Sequence, residues 1–388
     1  MSGPLDGMLV VDLSRALAGP HAGMMLGDLG ARVIKVERPD GGDDSRAWGP
    51  PFVTAGEEQV STYFLSCNRN KESIALDLKD DADRGVLTEL IRRADVLIEN
   101  FRPGTLDRLG FDPATLEQLN PRLVLLSISG FGHDGPEANR AGYDQILQGE
   151  AGLMSLTGPD AGTPQKVGVP IGDLLGGIHG VVGILAALVE RERTGKGGVV
   201  RTSLLSSLVG VLAFQATRWT VGGDAPHAIG NQHPSIAPYG AFRCADGVVQ
   251  ISVGSDPLWR TFAPLIGIDP DEARWATNGK RVADRDALIA HIEGVFAGSS
   301  RDELLAQLAA AGIPAGKVRT VDEVFQWEQA LSQGLALDVH HEQLGDLTLQ
   351  GSALRMFDFD GTETGRTAHE APPLLGEHTA TIREWLAS

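Results

Sequence analysis

The chain has 388 residues, 42% of them hydrophobic, and carries 51 Asp and Glu against 33 Lys and Arg, for a formal net charge of −18. That length suits two domains better than one, and that charge excludes binding of nucleic acid or anionic membranes through the general surface field, so an anionic ligand has to be held by a local cluster of basic side chains and helix N-termini. The two cysteines, Cys67 and Cys244, exclude a disulfide framework and leave no C-x-x-C for zinc or redox work, which fits a cytoplasmic protein.

The first residues, M-S-G-P-L-D-G-M, hold no basic stretch followed by an apolar one, so no signal peptide is read. Residues 9–13 (L-V-V-D-L) predict a short buried strand, residues 19–29 a helix with Pro20 in its first turn, and residues 31–37 a strand entered through Gly30. Residues 73–78 predict another strand, and residues 81–94 an amphipathic helix with Val86, Leu87, Leu90 and Ile91 at helical spacing. A strand at 95–99, short helices at 105–110 and 113–119, and a strand at 123–129 follow. Strands that alternate with helices imply parallel pairing through crossovers. The expected architecture is therefore α/β, a Rossmann-like doubly wound parallel sheet, with ligands beyond the carboxyl ends of the strands.

A long apolar helix is expected from near Leu174. Its almost uncharged stretch, residues 174–189, falls short of the roughly twenty residues a membrane span needs, and reads as a buried helix with His179 packed inside it. Residues 199–203 predict a strand and 204–219 one apolar helix. The composition then changes. The expected division is a large domain over 1–220, a linker at 221–238 rich in Gly, Pro, His and Asn, a smaller α+β domain over 239–325, and a segment at 326–388 that returns to the large domain. The small domain opens on a hairpin at 240–253 that turns at Ala245, Asp246 and Gly247.

Several chemistries lack their motifs. No G-x-G-x-x-G follows the first strand and no Walker sequence occurs, which disfavours a nicotinamide-linked dehydrogenase. The T-G-K-G-G run at 194–198 lies between a helix and a strand and reads as a turn, and no G-x-S-x-G elbow is present. His340 and His341 are adjacent, so on a strand they face opposite ways; no metal site is read. Asp173 is the most informative side chain. It stands in V-G-V-P-I-G-D-L-L-G-G-I-H-G at the start of the long helix, where a short acid is a natural N-cap. A carboxylate at a glycine-rich turn with small neighbours also suits a nucleophile approached by a bulky substrate.

Segments spread in order over the whole chain resemble the class III CoA-transferases, the formyl-CoA transferase or CaiB/BaiF type. They are L-S-R-A-L-A-G-P (13–20), L-G-D-L-G-A-R-V-I-K-V-E-R-P (26–39), N-R-N-K-E-S-I-A-L-D-L-K (68–79), A-D-V-L-I-E-N-F-R-P-G (94–104), S-I-S-G-F-G-H-D-G-P (127–136), A-G-Y-D (141–144), I-G-D at Asp173, and G-N-Q-H-P-S-I-A-P-Y-G-A-F (230–242). The resemblance implies an interlocked homodimer, coenzyme A or an acyl-CoA as substrate with no tightly bound cofactor, and Asp173 as the nucleophile of CoA transfer between carboxylic acids. Matched CoA positions are Ala16, Leu17, Arg38, Leu76 to Lys79, Asn100, Phe101, Arg102, Arg108, and the Ala141 to Asp144 region with Tyr143. Arg38 and Arg108 suit phosphates, and Asn100 an amide or thioester oxygen. Leu17 stands where formyl-specific relatives carry glutamine, Ala141 where they carry lysine, and Gly230, Asn231, Gln232, His233 and Pro234 where they carry a glycine flap. An acid larger than formate is expected, such as the dicarboxylate succinate, with Gly230 and Asn231 in the flap and Arg15, Arg46 and His233 as partners for a distal carboxylate. Two other readings compete. An α-methylacyl-CoA racemase resembles this chain but carries histidine where Tyr143 stands, so the proton-abstracting base is missing. Against a non-catalytic acyl-CoA binding protein, which stays as the third reading, weighs the retention of Asp173.

Overall fold

Six short runs rich in Val, Ile and Leu build one parallel sheet. In the computed structural model, which describes residues 3–56 and 58–388, these are β1 (Leu9–Asp12), β2 (Arg32–Glu37), β5 (Lys71–Ala75), β6 (Val96–Glu99), β7 (Val124–Ser129) and β8 (Gly198–Ser203). A small antiparallel hairpin, β3 (Phe52–Ala55) and β4 (Glu58–Ser61), interrupts the series. The sheet order is β5-β2-β1-β6-β7-β8, with every pair parallel. The order reverses between β1 and β6, and a crevice opens at such a reversal, beyond the carboxyl ends of the two strands. The loops that leave β1 and β6 flank that crevice.

Side chains alternate across the sheet. Val10, Val33, Val96 and Val124 face one way and pack under the helices Ala18–Asp28 and Ile171–Thr194. Val11, Ile34, Leu97 and Leu125 face the other way, under the helices Asp81–Arg93 and Pro113–Leu119 and the terminal helix Thr379–Ala387, which contributes Ile382. Each fully buried aliphatic side chain contributes about 1.5–3 kcal/mol. The two helices of the first face touch at glycine: a Cβ on Gly177 would lie 2.7 Å from the Ala18 carbonyl oxygen.

Four expectations need correction. The strand placed at 73–78 is Lys71–Ala75. A lysine opens it because Lys71 is buried against Asp12 at 2.9 Å, and Asp77, whose carboxylate accepts from the Lys79 N–H, turns the chain beyond it. The apolar helix placed at 204–219 is two, Leu204–Gly210 and Ala213–Thr220, broken where Ala213 takes φ +49°. The helix expected from Leu174 starts earlier and runs over Ile171–Thr194, long and apolar enough by length and composition to cross a membrane. It is not buried all round: Val182 and Val189 are 60% and 74% exposed on this chain. His179 is on that exposed side, with Nδ1 3.0 Å from Ser207 Oγ, and is not a core histidine.

The chain divides into two units, one of Met1–Leu153, Val167–Gly222 and Glu328–Ser388, the other of Met154–Lys166 and Gly223–Trp327. The second unit carries an antiparallel sheet of β9 (Tyr239–Cys244), β10 (Gly247–Ser252) and β11 (Ala315–Lys317). Its core gathers Phe242, Val249, Trp259, Phe262 and Ile292. Residues 154–166 join it through backbone bonds from Ala228 N to Ser155 O and from Gly230 N to Gly158 O, both 2.9 Å. In the first unit, β12 (Ala336–His341) and β13 (Gly345–Gln350) form a hairpin on which His340 is exposed and His341 buried, as adjacent residues of one strand must be.

Candidate active site

Asp173 is the third residue of the helix Ile171–Thr194, one turn inside the position expected for it. Pro170 occupies the N-cap and offers no side-chain acceptor. Asp144 supplies it instead, from the first turn of the helix Asp144–Glu150. Its Oδ1 accepts the Gly172 N–H at 2.7 Å and the Asp173 N–H at 3.4 Å, while Oδ2 accepts Gln148 Nε2 at 2.6 Å. Capping is therefore done by a neighbouring helix, and the Asp173 carboxylate makes no hydrogen bond among the described residues. Burial, and then the like charge of Asp144, push the Asp173 carboxyl up to about 7. The positive end of the helix works in the opposite direction and is outweighed.

A small apolar cluster of Leu17, Met24 and Cys67, joined by Tyr63 and Leu174, lies next along the chain fold. Burial, and then the charge of Asp173, hold the Tyr63 phenol well above the usual tyrosine range, so it remains a hydrogen-bond donor at all physiological pH. The Trp48 ring meets Tyr63 edge-on, with centroids 5.0 Å apart. Burial pushes the Cys67 thiol up to about 12, so it does not compete as a nucleophile. Trp48 and Tyr63 escaped the sequence reading because nothing near them in the chain marks them: they are brought in by the β3–β4 hairpin and the turn after it.

The crevice loops are fixed from below by buried charge. The loop after β1 has its Ser14 carbonyl bonded by Lys35 Nζ at 2.8 Å and its Ala16 N–H by Asp43 Oδ1 at 3.0 Å. Lys35 and Asp43 form a fully buried ion pair at 2.9 Å, and Asp43 is pulled down to about 2, Lys35 being the strongest of the influences that overcome its burial. Ala16 is held at φ +66°, a left-handed conformation that costs a residue with a Cβ about 1–2 kcal/mol. Asn100, after β6, accepts the Arg15 N–H at 2.9 Å and donates to the Arg15 carbonyl at 2.7 Å. The oxygen and one N–H of its amide are therefore committed to the backbone, which makes Asn100 a clamp between the two loops; the second N–H is the donor left for the thioester contact expected of it.

A cavity of about 640 Å³ lies against these loops. Leu13, Val36, Leu76 and Leu109 give it apolar walls and Phe101 an aromatic face, and its charged lining sets Arg15, Arg38 and Lys79 beside Glu37, Asp40 and Asp77. The expected CoA positions Arg38, Leu76, Lys79 and Phe101 are thus brought together, and Arg15 joins them in that wall. Arg38 pairs with Asp44 at 2.7 Å, an exposed contact that a phosphate can replace. A smaller cavity of about 200 Å³ is lined by Asn100, Phe101, Arg102, Ala141 and Tyr143. One expectation fails and one residue stands apart. Arg46 is spent on Glu37, with Nε and Nη2 each 2.7 Å from a carboxylate oxygen, and its guanidinium lies 3.6 Å from the Phe64 ring centroid, so it is not available to a substrate acid. Arg108 donates to Thr105 Oγ1 at 2.8 Å and lines neither cavity.

Gly230, Asn231 and His233 belong to the second unit. Gly230 sits at φ +64°, where glycine is favoured. The His233 ring stacks on Tyr239 at 5.0 Å, its Nδ1 accepts the Ser235 N–H at 3.1 Å, and burial followed by Arg285 pulls its pKa down. That shift works against the charged imidazolium with which a substrate carboxylate would pair.

The model of CoA-transferase family III matches residues 5–379. Succinyl-CoA:glutarate CoA-transferase of Mus musculus is 39% identical over 381 residues, 98% of this chain and 85% of the mouse protein. Acetyl-CoA:oxalate CoA-transferase of Acetobacter aceti is 39% identical over 391 residues, 100% of this chain and 96% of that one. The crystal structure of a CAIB/BAIF family protein from Brucella suis superposes with a TM-score of 0.89 at 42% identity, covering 100% of both chains. The chain belongs to CoA-transferase family III.

Proposed function

We propose that this member of CoA-transferase family III moves CoA from an acyl-CoA donor to a dicarboxylic acid, with Asp173 as the covalent nucleophile. The observation that carries the reading is the Asp173 carboxylate itself: half-buried, relieved of capping duty by Asp144, and in the same unit as a nucleotide-sized cavity with apolar walls, an aromatic face and the basic side chains Arg15, Arg38 and Lys79 among the acids Glu37, Asp40 and Asp77. The dicarboxylate is supported by relatives that act on glutarate and oxalate.

The reaction is a sequence of acyl exchanges. An Asp173 oxygen attacks the donor thioester carbonyl; the C–S bond breaks and CoA leaves as thiolate, giving an acyl-aspartyl anhydride. The thiolate attacks the Asp173 carbonyl of that anhydride and expels the donor acid, leaving an aspartyl-CoA thioester. The acceptor carboxylate attacks this thioester, CoA leaves and returns to the acceptor's carbonyl, and Asp173 is regenerated. Anhydride and thioester are close in reactivity, so each step runs both ways. Each tetrahedral intermediate bears an oxyanion, and the Tyr63 phenol, kept protonated beside Asp173, is a donor suited to it; one such donor is worth about 3–4 kcal/mol. The apolar cluster of Leu17, Met24 and Leu174 limits water, which would otherwise hydrolyse the intermediates.

The test is trapping. Incubated with succinyl-CoA and then hydroxylamine, the peptide that contains Asp173 should gain the hydroxamate mass increment, and the Asp173→Ala variant should gain none while still binding CoA. Transfer that continues in Asp173→Ala would sink the assignment.

A further inference from the structure

Beyond the CoA cavity, the carboxyl ends of β6, β7 and β8 carry a group of side chains that the transfer reaction leaves unused. Glu99, the last residue of β6, and Ser127 on β7 are both buried and hydrogen-bonded to one another, and Ser127 Oγ is also 2.7 Å from His133 Nε2. Glu99 Oε2 accepts the Phe101 N–H at 2.7 Å. These side chains back a cavity of about 210 Å³, which Arg102 and Arg201 also line. Neither guanidinium donates a hydrogen bond or pairs with a carboxylate among the described residues. Burial pushes Glu99 up toward its neutral form and pulls His133 down toward neutral imidazole, Arg201 adding to the latter. Asp107 is the other acid in the lining. Two forked cations therefore stand against two acids, of which Glu99 already accepts from Ser127 and the Phe101 N–H and Asp107 is exposed, on a chain whose net charge of −18 otherwise repels anions.

We propose that this cavity is a binding site for a small phosphate-type dianion, separate from the site that holds CoA. Arg102 and Arg201 supply planar donor forks of the geometry that phosphate oxygens accept. The volume admits inorganic phosphate or a compact phosphate monoester and is a third of the CoA cavity. Arg102, one of the expected CoA positions, also lines the smaller cavity beside Tyr143, so Arg201 is the cation that sets this site apart from CoA.

A CoA molecule carries phosphate chemistry of its own, so the test has to separate the two sources. Inorganic phosphate is titrated calorimetrically into the full chain at low ionic strength, with and without saturating CoA. The expected result is that phosphate binds in both conditions, and that Arg201→Ala weakens its affinity at least about tenfold while the CoA affinity is unchanged. Arg201→Gln, which keeps a polar side chain and part of the aliphatic stem on this edge strand, should behave alike and guards against misfolding. Loss of phosphate binding when CoA is present would place the anion in the CoA cavity and overturn the proposal. So would equal phosphate affinity in wild type and both variants, or no binding to wild type at all.

Discussion

A carboxyl that titrates at about 7 is costly to ionise and, once ionised, poorly solvated, and that combination makes Asp173 reactive. The sign follows from its direction. A pKa raised in the folded state above the ordinary 3.8 contributes stability that is complete below pH 4 and lost as pH rises through 7. The whole shift corresponds to roughly 4 kcal/mol, reduced by solvent screening of a partly exposed group to about 1–2 kcal/mol. Asp173→Asn should therefore abolish transfer yet unfold at higher urea concentration than wild type at pH 8, and the two curves should converge below pH 4. Asp144→Asn tests the second contributor. It keeps an oxygen for the Gly172 N–H but removes the like charge, so the acid limb of the pH–rate profile should move down by about one unit at most. The Gln148 amide loses its acceptor at Oδ2, and it cannot flip freely because its Oε1 holds the Val167 N–H at 2.9 Å, so a stability loss of about 1–3 kcal/mol should accompany the shift. An unmoved profile would remove Asp144 from the electrostatics of the site. At this scale the sequence was legible where a residue's role follows from its neighbours, as for an acid at a helix start. It was not legible where the role comes from residues far along the chain: that Asn100 is a clamp shows only once the Arg15 backbone, 85 positions away, is seen bonded to it.

The element that most depends on such distant partners is the loop from Leu13 to Leu17. Its conformation is not its own: Ala16 is left-handed only because Asp43, Lys35 and Asn100 each hold one of its backbone groups or those of a neighbour. Asn100→Ala releases the Arg15 pair and lets this loop relax. The expected effect is a rise of about tenfold in KM for the acyl-CoA, about 1.4 kcal/mol, with kcat little changed. An Asn100 that touched the reacting thioester would give the opposite split, a fall in kcat, so steady-state kinetics decide between clamp and contact. Strands whose apolar residues alternate, or run unbroken through a sheet covered on both faces, were readable one by one. The start of β5 was not, because a buried lysine looks like a loop residue until Asp12 is placed beside it. Nor was β11, three residues with little apolar signal of their own, made a strand by pairing with β10.

For the whole molecule, the unexplained quantity is apolar surface. Val182 and Val189 on one helix, and Trp219 and Val221 at the end of another, are 60%, 74%, 60% and 84% exposed on a single chain. Large apolar side chains left exposed on a single chain mark a covered surface, and the helix Ile171–Thr194 carries Asp173 on its first turn and these valines further along. A second copy of the chain, the homodimer expected from the family resemblance, would cover such a surface. Light scattering should then give twice the 41.1 kDa chain mass. Val189→Asp discriminates between the two environments. On a free surface it should change stability by no more than about 0.5 kcal/mol, whereas in an interface it buries an unpaired charge and should cost several kcal/mol, seen as dissociation to the chain mass or loss of soluble protein. A wild type of single-chain mass, with Val189→Asp as stable as its parent, would leave the helix facing water and the dimer without support. Because the same helix positions the Asp173 carboxylate, dissociation should reduce transfer even though residue 189 lies more than four helical turns from it, at 3.6 residues per turn.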